Sequence, residues 1–211
     1  MVYKIILQRI IFIHVNIIIR KIFPCSLLKF SCRKVCPWWL SFFIGNTLRR
    51  FIHNPDRILA DLIKNGQTVV DIGCGPGFFT ITMAEMVGED GSVIAADIQS
   101  KMLDFVHDRA VKAGLESRIQ YHHCNNDGID IEDKVDFILA FYMVHEVKDI
   151  ESFFAEIVNI LRPNATFLLV EPKIHVTSYY FEKTVKAAIN AGLKPMTVLN
   201  IKGSRSLLFC K

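Results

Sequence analysis

From Asn54 onward short apolar runs alternate with helix-patterned segments, and that alternation admits few folds. Asn54-Pro55-Asp56 offers a capping side chain, a proline for the first helical position and an acid for the first turn. Ile58, Leu59, Leu62 and Ile63 follow at helical spacing until Gly66, which predicts a helix of about eleven residues. Thr68 to Ile72 then reads as a buried strand, and FFTITMAEMVG as the next helix. The unit recurs as strand 93–96 with helix 101–113, capped by Ser100 and closed by Gly114, then strand 119–122. Strand 135–141 pairs with helix 150–161, and strand 166–170 with helix 179–191. Such repetition predicts an α/β fold: a Rossmann-like, doubly wound, mostly parallel sheet in a three-layer sandwich. Segments 196–201 and 205–210, split by Lys202-Gly203-Ser204, predict a closing hairpin, giving seven strands with the last one antiparallel.

The first 55 residues differ from this body. They carry nine Lys and Arg and no acid, whereas residues 56–211 carry 16 basic against 21 acidic groups. An acidic body presents no broad footprint for a phosphate backbone, which argues against a nucleic-acid enzyme unless the arm binds it. Residues 5–19, IILQRIIFIHVNIII, are apolar but interrupted by Gln8, Arg9, His14 and Asn16. Fifteen helical residues span about 22 Å, short of the ~30 Å hydrocarbon core. We therefore expect residues 1–35 to be a basic, apolar extension that touches at most a membrane surface, with residues 36–211 forming one domain in a cytoplasmic protein. Val35 is an attractive alternative start for a shorter product. Cys25, Cys32, Cys36, Cys74, Cys124 and Cys210 are too scattered for a disulfide framework.

In doubly wound sheets ligands bind at the carboxyl ends of the strands, where strand order reverses. The first strand leads into Asp71-Ile72-Gly73-Cys74-Gly75-Pro76-Gly77. Alternate glycines let backbone amides approach a ligand. A dinucleotide fingerprint needs a further glycine where Phe78 stands, so nicotinamide cofactors are disfavoured. The next strand ends Ile94-Ala95-Ala96-Asp97, and a carboxylate there is suited to the two hydroxyls of a ribose.

VVDIGCGPG, AADIQ, VDFILAFYMVHEV and ILRPNATFLLVEP, in this order, resemble the class I S-adenosylmethionine-dependent methyltransferases. With CPWWLSFFIGNTLRRFIHNPDRIL in front, the chain is similar to the small stand-alone bacterial and archaeal members. The resemblance implies S-adenosylmethionine as methyl donor and no metal. It places Gly73, Gly75 and Gly77 against the methionine part and ribose, Asp71 on the turn and the amino group, and Asp97 on the ribose hydroxyls. Ile98 is implied to cover one adenine face, Asn125 to meet the exocyclic amine, and Phe141 and Tyr142 to border the sulfonium. Asn164-Ala165 stands where the family has Gly-Gly, and Asn tolerates the left-handed conformation needed there.

Methyl transfer is an in-line displacement, so alignment is the enzyme's main contribution. A hydroxyl or carbon acceptor must also lose a proton; His145, with Glu146 beside it, is the expected base, and Tyr142 is a second catalytic candidate. The fourth strand ends AFYM, without the Pro-Pro-Tyr or Pro-Cys signals of amide, adenine or pyrimidine methylation. A small-molecule acceptor is expected, RNA or protein being alternatives. Trp38, Trp39, Phe42 and Phe43 are expected to roof the acceptor pocket, while Arg49 and Arg50 bind an acidic acceptor or face water. Cys36, Cys74 and Cys124 would hold a metalloid in an arsenite-type enzyme, and His122-His123-Cys124 invites a metal reading. A protein that binds the donor without turnover is the non-enzymatic alternative. Oligomeric state has no signal in the sequence.

Overall fold

In the computed structural model the described residues are 49–50, 52–125 and 128–211. The chain divides into two units, Met1–Lys34 and Val35–Lys211, and every described residue belongs to the second. Strands β1 (Thr68–Ile72), β2 (Ser92–Asp97), β3 (Ile119–His123), β4 (Val135–Phe141), β5 (Leu161–Pro172), β6 (Lys194–Thr197) and β7 (Ser204–Cys210) form one seven-stranded sheet in the order β3-β2-β1-β4-β5-β7-β6. Strands β1 to β5 run parallel; β7 is antiparallel to both neighbours. Strand order reverses between β1 and β4, so the turn after β1 lies at the switch point.

Alternation along the strands divides the core in two. Val69, Val93, Leu139 and Leu168 point to one face, where they meet Leu59 of α1 (Pro55–Leu59), Met83 of α2 (Thr80–Val87) and Val106 of α3 (Ser100–Ala113). Their neighbours Val70, Ile94, Ile138 and Leu169 point to the other, against Phe154 and Ile157 of α4 (Ile150–Ile160) and Ala188 of α5 (Ser178–Asn190). Side chains of this size contribute about 1.5–3 kcal/mol each when fully buried. Three layers result, as the alternation predicts. Among the described residues no helix is long and apolar enough to cross a membrane.

Several boundaries differ from expectation. Helix α1 has five residues, not eleven, although Asn54 Oδ1 caps it by accepting the Arg57 N–H at 3.2 Å. Beyond Leu59 the chain continues in turns, with Leu62 N–H donating back only three residues to Leu59 and Lys64 N–H donating to the Gln67 side chain at 2.7 Å. Ser100 is the first residue of α3 and Gln99 the cap position, because the Asp97 carboxylate takes the Gln99 N–H. Strand β6 begins and ends earlier than the expected 196–201, since Leu193 packs into the core and Lys194 pairs with Cys210. Asn164 has φ 65°, the left-handed conformation anticipated there.

Candidate functional site

The turn after β1 is held by the neighbouring strand. Gly73 and Cys74 both donate N–H to the Ala96 carbonyl, at 2.8 and 3.1 Å. At Gly73 φ is 66°, and a Cβ there would stand 2.8 Å from Met143 Cβ, so only glycine fits. Gly75 has φ 53°, yet a Cβ would meet nothing within 4 Å, which leaves its peptide face open for a ligand. Gly77 completes the run of positive φ at 80°.

The two acids are buried beside this turn. Asp71 is 2% exposed and accepts the Thr80 hydroxyl at 2.6 Å. Burial pushes its carboxyl up to about 6, against the opposing pull of Thr80 and Arg49. Asp97 accepts N–H groups from Gly75 at 3.0 Å and Gln99 at 2.9 Å. Burial raises its pKa too, and those two amides oppose the rise. Asp97 therefore fixes the glycine turn as well as facing it. Ile98, next in sequence, is 38% exposed, an apolar side chain left open at the rim.

Asn125 Nδ2 donates to Asp130 at 2.5 Å within its own loop, a bond that does not use Oδ1, the oxygen to which an exocyclic amine would donate. Phe141 is 5% exposed and stacks between Phe79 and Tyr142, with centroids at 4.4 and 4.5 Å, so it supports the site from within the core. Tyr142 has φ 64°, strained for an aromatic residue. Its hydroxyl meets Ser204 Oγ at 2.6 Å and His53 Nε2 at 3.2 Å. Trp38, Trp39, Phe42 and Phe43 lie outside the described residues, as does Cys36.

The two arginines part company. Arg50 pairs with Asp56 at 3.3 Å on the surface. Arg49 instead lays its guanidinium 4.4 Å from the Phe78 ring centroid and 5.9 Å from that of Phe141. Burial lowers its pKa, while the charge of Asp71 favours the cation. Among the described residues no acceptor hydrogen-bonds this guanidinium. A cavity of about 740 Å³ adjoins the turn at Gly77 and Phe78, lined also by Arg50, Arg109 and Lys112.

His145 lies in a 3₁₀ turn, Val144–Glu146, beyond β4. Its ring Nδ1 lies 2.6 Å from Glu171 Oε2 and its backbone N–H donates to Glu171 Oε1 at 3.1 Å. Glu171 carries no role in the family motifs, but a signal exists: FLLVE ends an apolar strand on an acid, as VVD and AAD do. His53 and Ser204 had no such signal. His122 and His123 direct Nε2 to the carbonyls of Ile129 and Ile98, at 2.7 and 3.0 Å, instead of converging. Burial raises the Cys74 thiol well above its ordinary value and pushes Cys124 up to about 12, with nearby carboxylates adding to both; thiolate ligands are disfavoured here. Among the described residues no group of His, Cys, Asp and Glu is placed to hold a metal ion.

A family model for the methyltransferase domain matches residues 69–164, the span from β1 through the Asn164 turn. The chain is 29% identical over 133 residues to the ubiquinone/menaquinone biosynthesis C-methyltransferase UbiE of Haemophilus ducreyi, covering 63% of this chain and 49% of that protein. It is 28% identical over 101 residues to UbiE of Xylella fastidiosa, covering 47% and 40%. The chain thus spans about half the length of the curated relatives it matches. Its fold is similar to a SAM dependent methyltransferase from Aquifex aeolicus, with TM-score 0.74 and 24% identity over 84% of this chain and 99% of that one. A putative S-adenosyl-L-methionine-dependent methyltransferase from Methanococcus maripaludis gives TM-score 0.71 and 19% identity over 85% and 96%. The sheet order agrees with the fold of these structures, and residues 69–164, which hold the glycine turn and the paired acids, are similar to a methyltransferase domain.

Proposed function

We propose that residues 36–211 bind S-adenosylmethionine at the turn after β1 and transfer its methyl group to a small molecule. One observation carries this reading: an open glycine turn flanked by two buried carboxylates and one half-buried guanidinium. S-adenosylmethionine presents a cationic amino group, an anionic carboxylate and two ribose hydroxyls. Asp71 suits the first, Arg49 the second and Asp97 the third, so each charged or polar end meets a complementary group. Ile98 offers its exposed side chain to the adenine, with the Asn125 loop at the far rim. Arg49 replaces the acidic-acceptor role with a donor-binding one, because it faces Asp71 and Tyr142.

The sulfonium, once bound, supplies an activated methyl group. The protein's share is to hold it in line with the acceptor and exclude water. Tyr142, locked by Ser204 and His53, borders that space, and His145 stands beyond it. Trp38, Trp39 and Phe42 remain our assignment for the roof. A small-molecule acceptor is supported by the UbiE relatives, which are named for quinone biosynthesis, and by the net acidic charge of residues 56–211, which disfavours a phosphate backbone. The cytoplasm is the proposed location.

Calorimetry tests the donor site. Asp97→Ala should weaken S-adenosylmethionine binding by about 100-fold or more, since charge-assisted hydrogen bonds are worth ~1.5–3 kcal/mol each. Unchanged affinity in a folded Asp97→Ala protein sinks the assignment, and tight NADH binding in place of S-adenosylmethionine sinks the function.

A further inference from the structure

Donor binding does not explain the end of β5. Glu171 is 1% exposed, and both its carboxylate oxygens are committed to one residue, His145. The backbone bond sets where the imidazole stands, and the 2.6 Å ring bond sets how it turns. With Nδ1–H donating to Glu171, the neutral ring keeps its lone pair on Nε2. The His145 side chain is 21% exposed, so that nitrogen can be reached. The other titratable groups facing the ring are Glu146, whose Oε1 is 3.9 Å from Nε2, and His175, stacked with centroids 6.5 Å apart. Burial disfavours the imidazolium, but the Glu171 bond and the two carboxylate charges outweigh it, so His145 titrates above an ordinary histidine.

Resting on the methyltransferase reading, we propose that Glu171 is a positioning residue that makes His145 the proton acceptor, and that the methyl acceptor is a hydroxyl or an acidic carbon. The acceptor O–H or C–H proton passes to His145 Nε2. Its electron pair forms the bond to the methyl carbon, and the electrons of the broken C–S bond stay on sulfur as a neutral thioether. One positive charge leaves the sulfonium and one appears on the imidazolium, next to Glu171, so the net charge of the site is conserved. A neutral amine needs no such partner, because its lone pair attacks first and the product cation sheds its proton to water.

The test uses the full chain. With S-adenosylmethionine bound, ¹⁵N NMR should show the neutral His145 ring protonated on Nδ1, with a titration point that falls in Glu171→Gln. Donor carrying a ¹³C methyl group, incubated with a small-molecule cell extract, should place the label on oxygen or carbon. Turnover should drop ~10²- to 10⁴-fold in His145→Ala. In Glu171→Gln the ascending limb of the pH–rate profile should move to lower pH, with donor affinity unchanged. Label on nitrogen or sulfur, a neutral ring protonated on Nε2, an unmoved limb, or donor binding with no labelled product each overturns the inference. Should Glu171→Gln fail to fold, the wild-type tautomer and the position of the label still decide. Absence of donor binding in the folded wild type defeats the methyltransferase reading itself, a result that calorimetry separates from the others.

Discussion

Asp71 is asked to be an anion in a place that resists anions. An unfolded aspartate releases its proton near 3.8, whereas the folded residue holds it to about 6. Between those values the native state binds the proton more tightly, so stability falls as pH rises through this window and levels off above it. The span corresponds to about 3 kcal/mol. Asp71→Asn keeps an oxygen for the Thr80 hydroxyl and removes the charge. The variant should therefore gain about 1–3 kcal/mol over the parent at pH 8, lose that advantage near pH 3.5, and bind S-adenosylmethionine more weakly. Urea unfolding at the two pH values checks it; an equal difference at both would remove burial of charge as the cause.

At the scale of elements, strand and helix order is legible because it is written in local periodicity and in caps such as Asn54 and Gly114. The exact ends are less so: α1 stops after Leu59 because Gln67, eight residues on, takes the Lys64 N–H, a contact that no helical spacing announces. Within the site, Asp71, Asp97 and the glycines stand out since strand-end acids and alternate glycines have few other uses. His53 and Ser204 do not, because only the assembled sheet brings residues from both ends of the domain to the end of β4. Tyr142 shows the difference most plainly. Nothing local favours φ 64° in tyrosine; the Val170 carbonyl, accepting its N–H at 2.8 Å, and the Ser204 and His53 bonds impose it. Tyr142→Phe should cost about 1–2 kcal/mol, seen as a lower urea midpoint with unchanged slope. No loss of stability would mean that the ring stacking on Phe141 alone holds the residue.

Over the whole molecule, seven of the nine Lys and Arg that precede the first acid, Asp56, fall within the unit Met1–Lys34. Protein lacking residues 1–34 should stay soluble, bind S-adenosylmethionine as tightly as the full chain and melt within about 5 °C of it. Loss of donor binding on that deletion would make the arm part of the domain; pelleting of only the longer protein with anionic vesicles would make it a surface anchor. The reversed direction of β7 acts at the same scale. Because β7 runs against β5, its first residue, Ser204, lies beside Pro172, at the end of the sheet where Tyr142 waits. Of these seven strands, the last to be translated thus slots between two already made, β5 and β6, and carries the hydroxyl that holds Tyr142. A nascent chain that has completed β1 to β4 already holds both strand-end carboxylates, Asp71 and Asp97, yet Tyr142 stays unlatched until translation has passed Ser204.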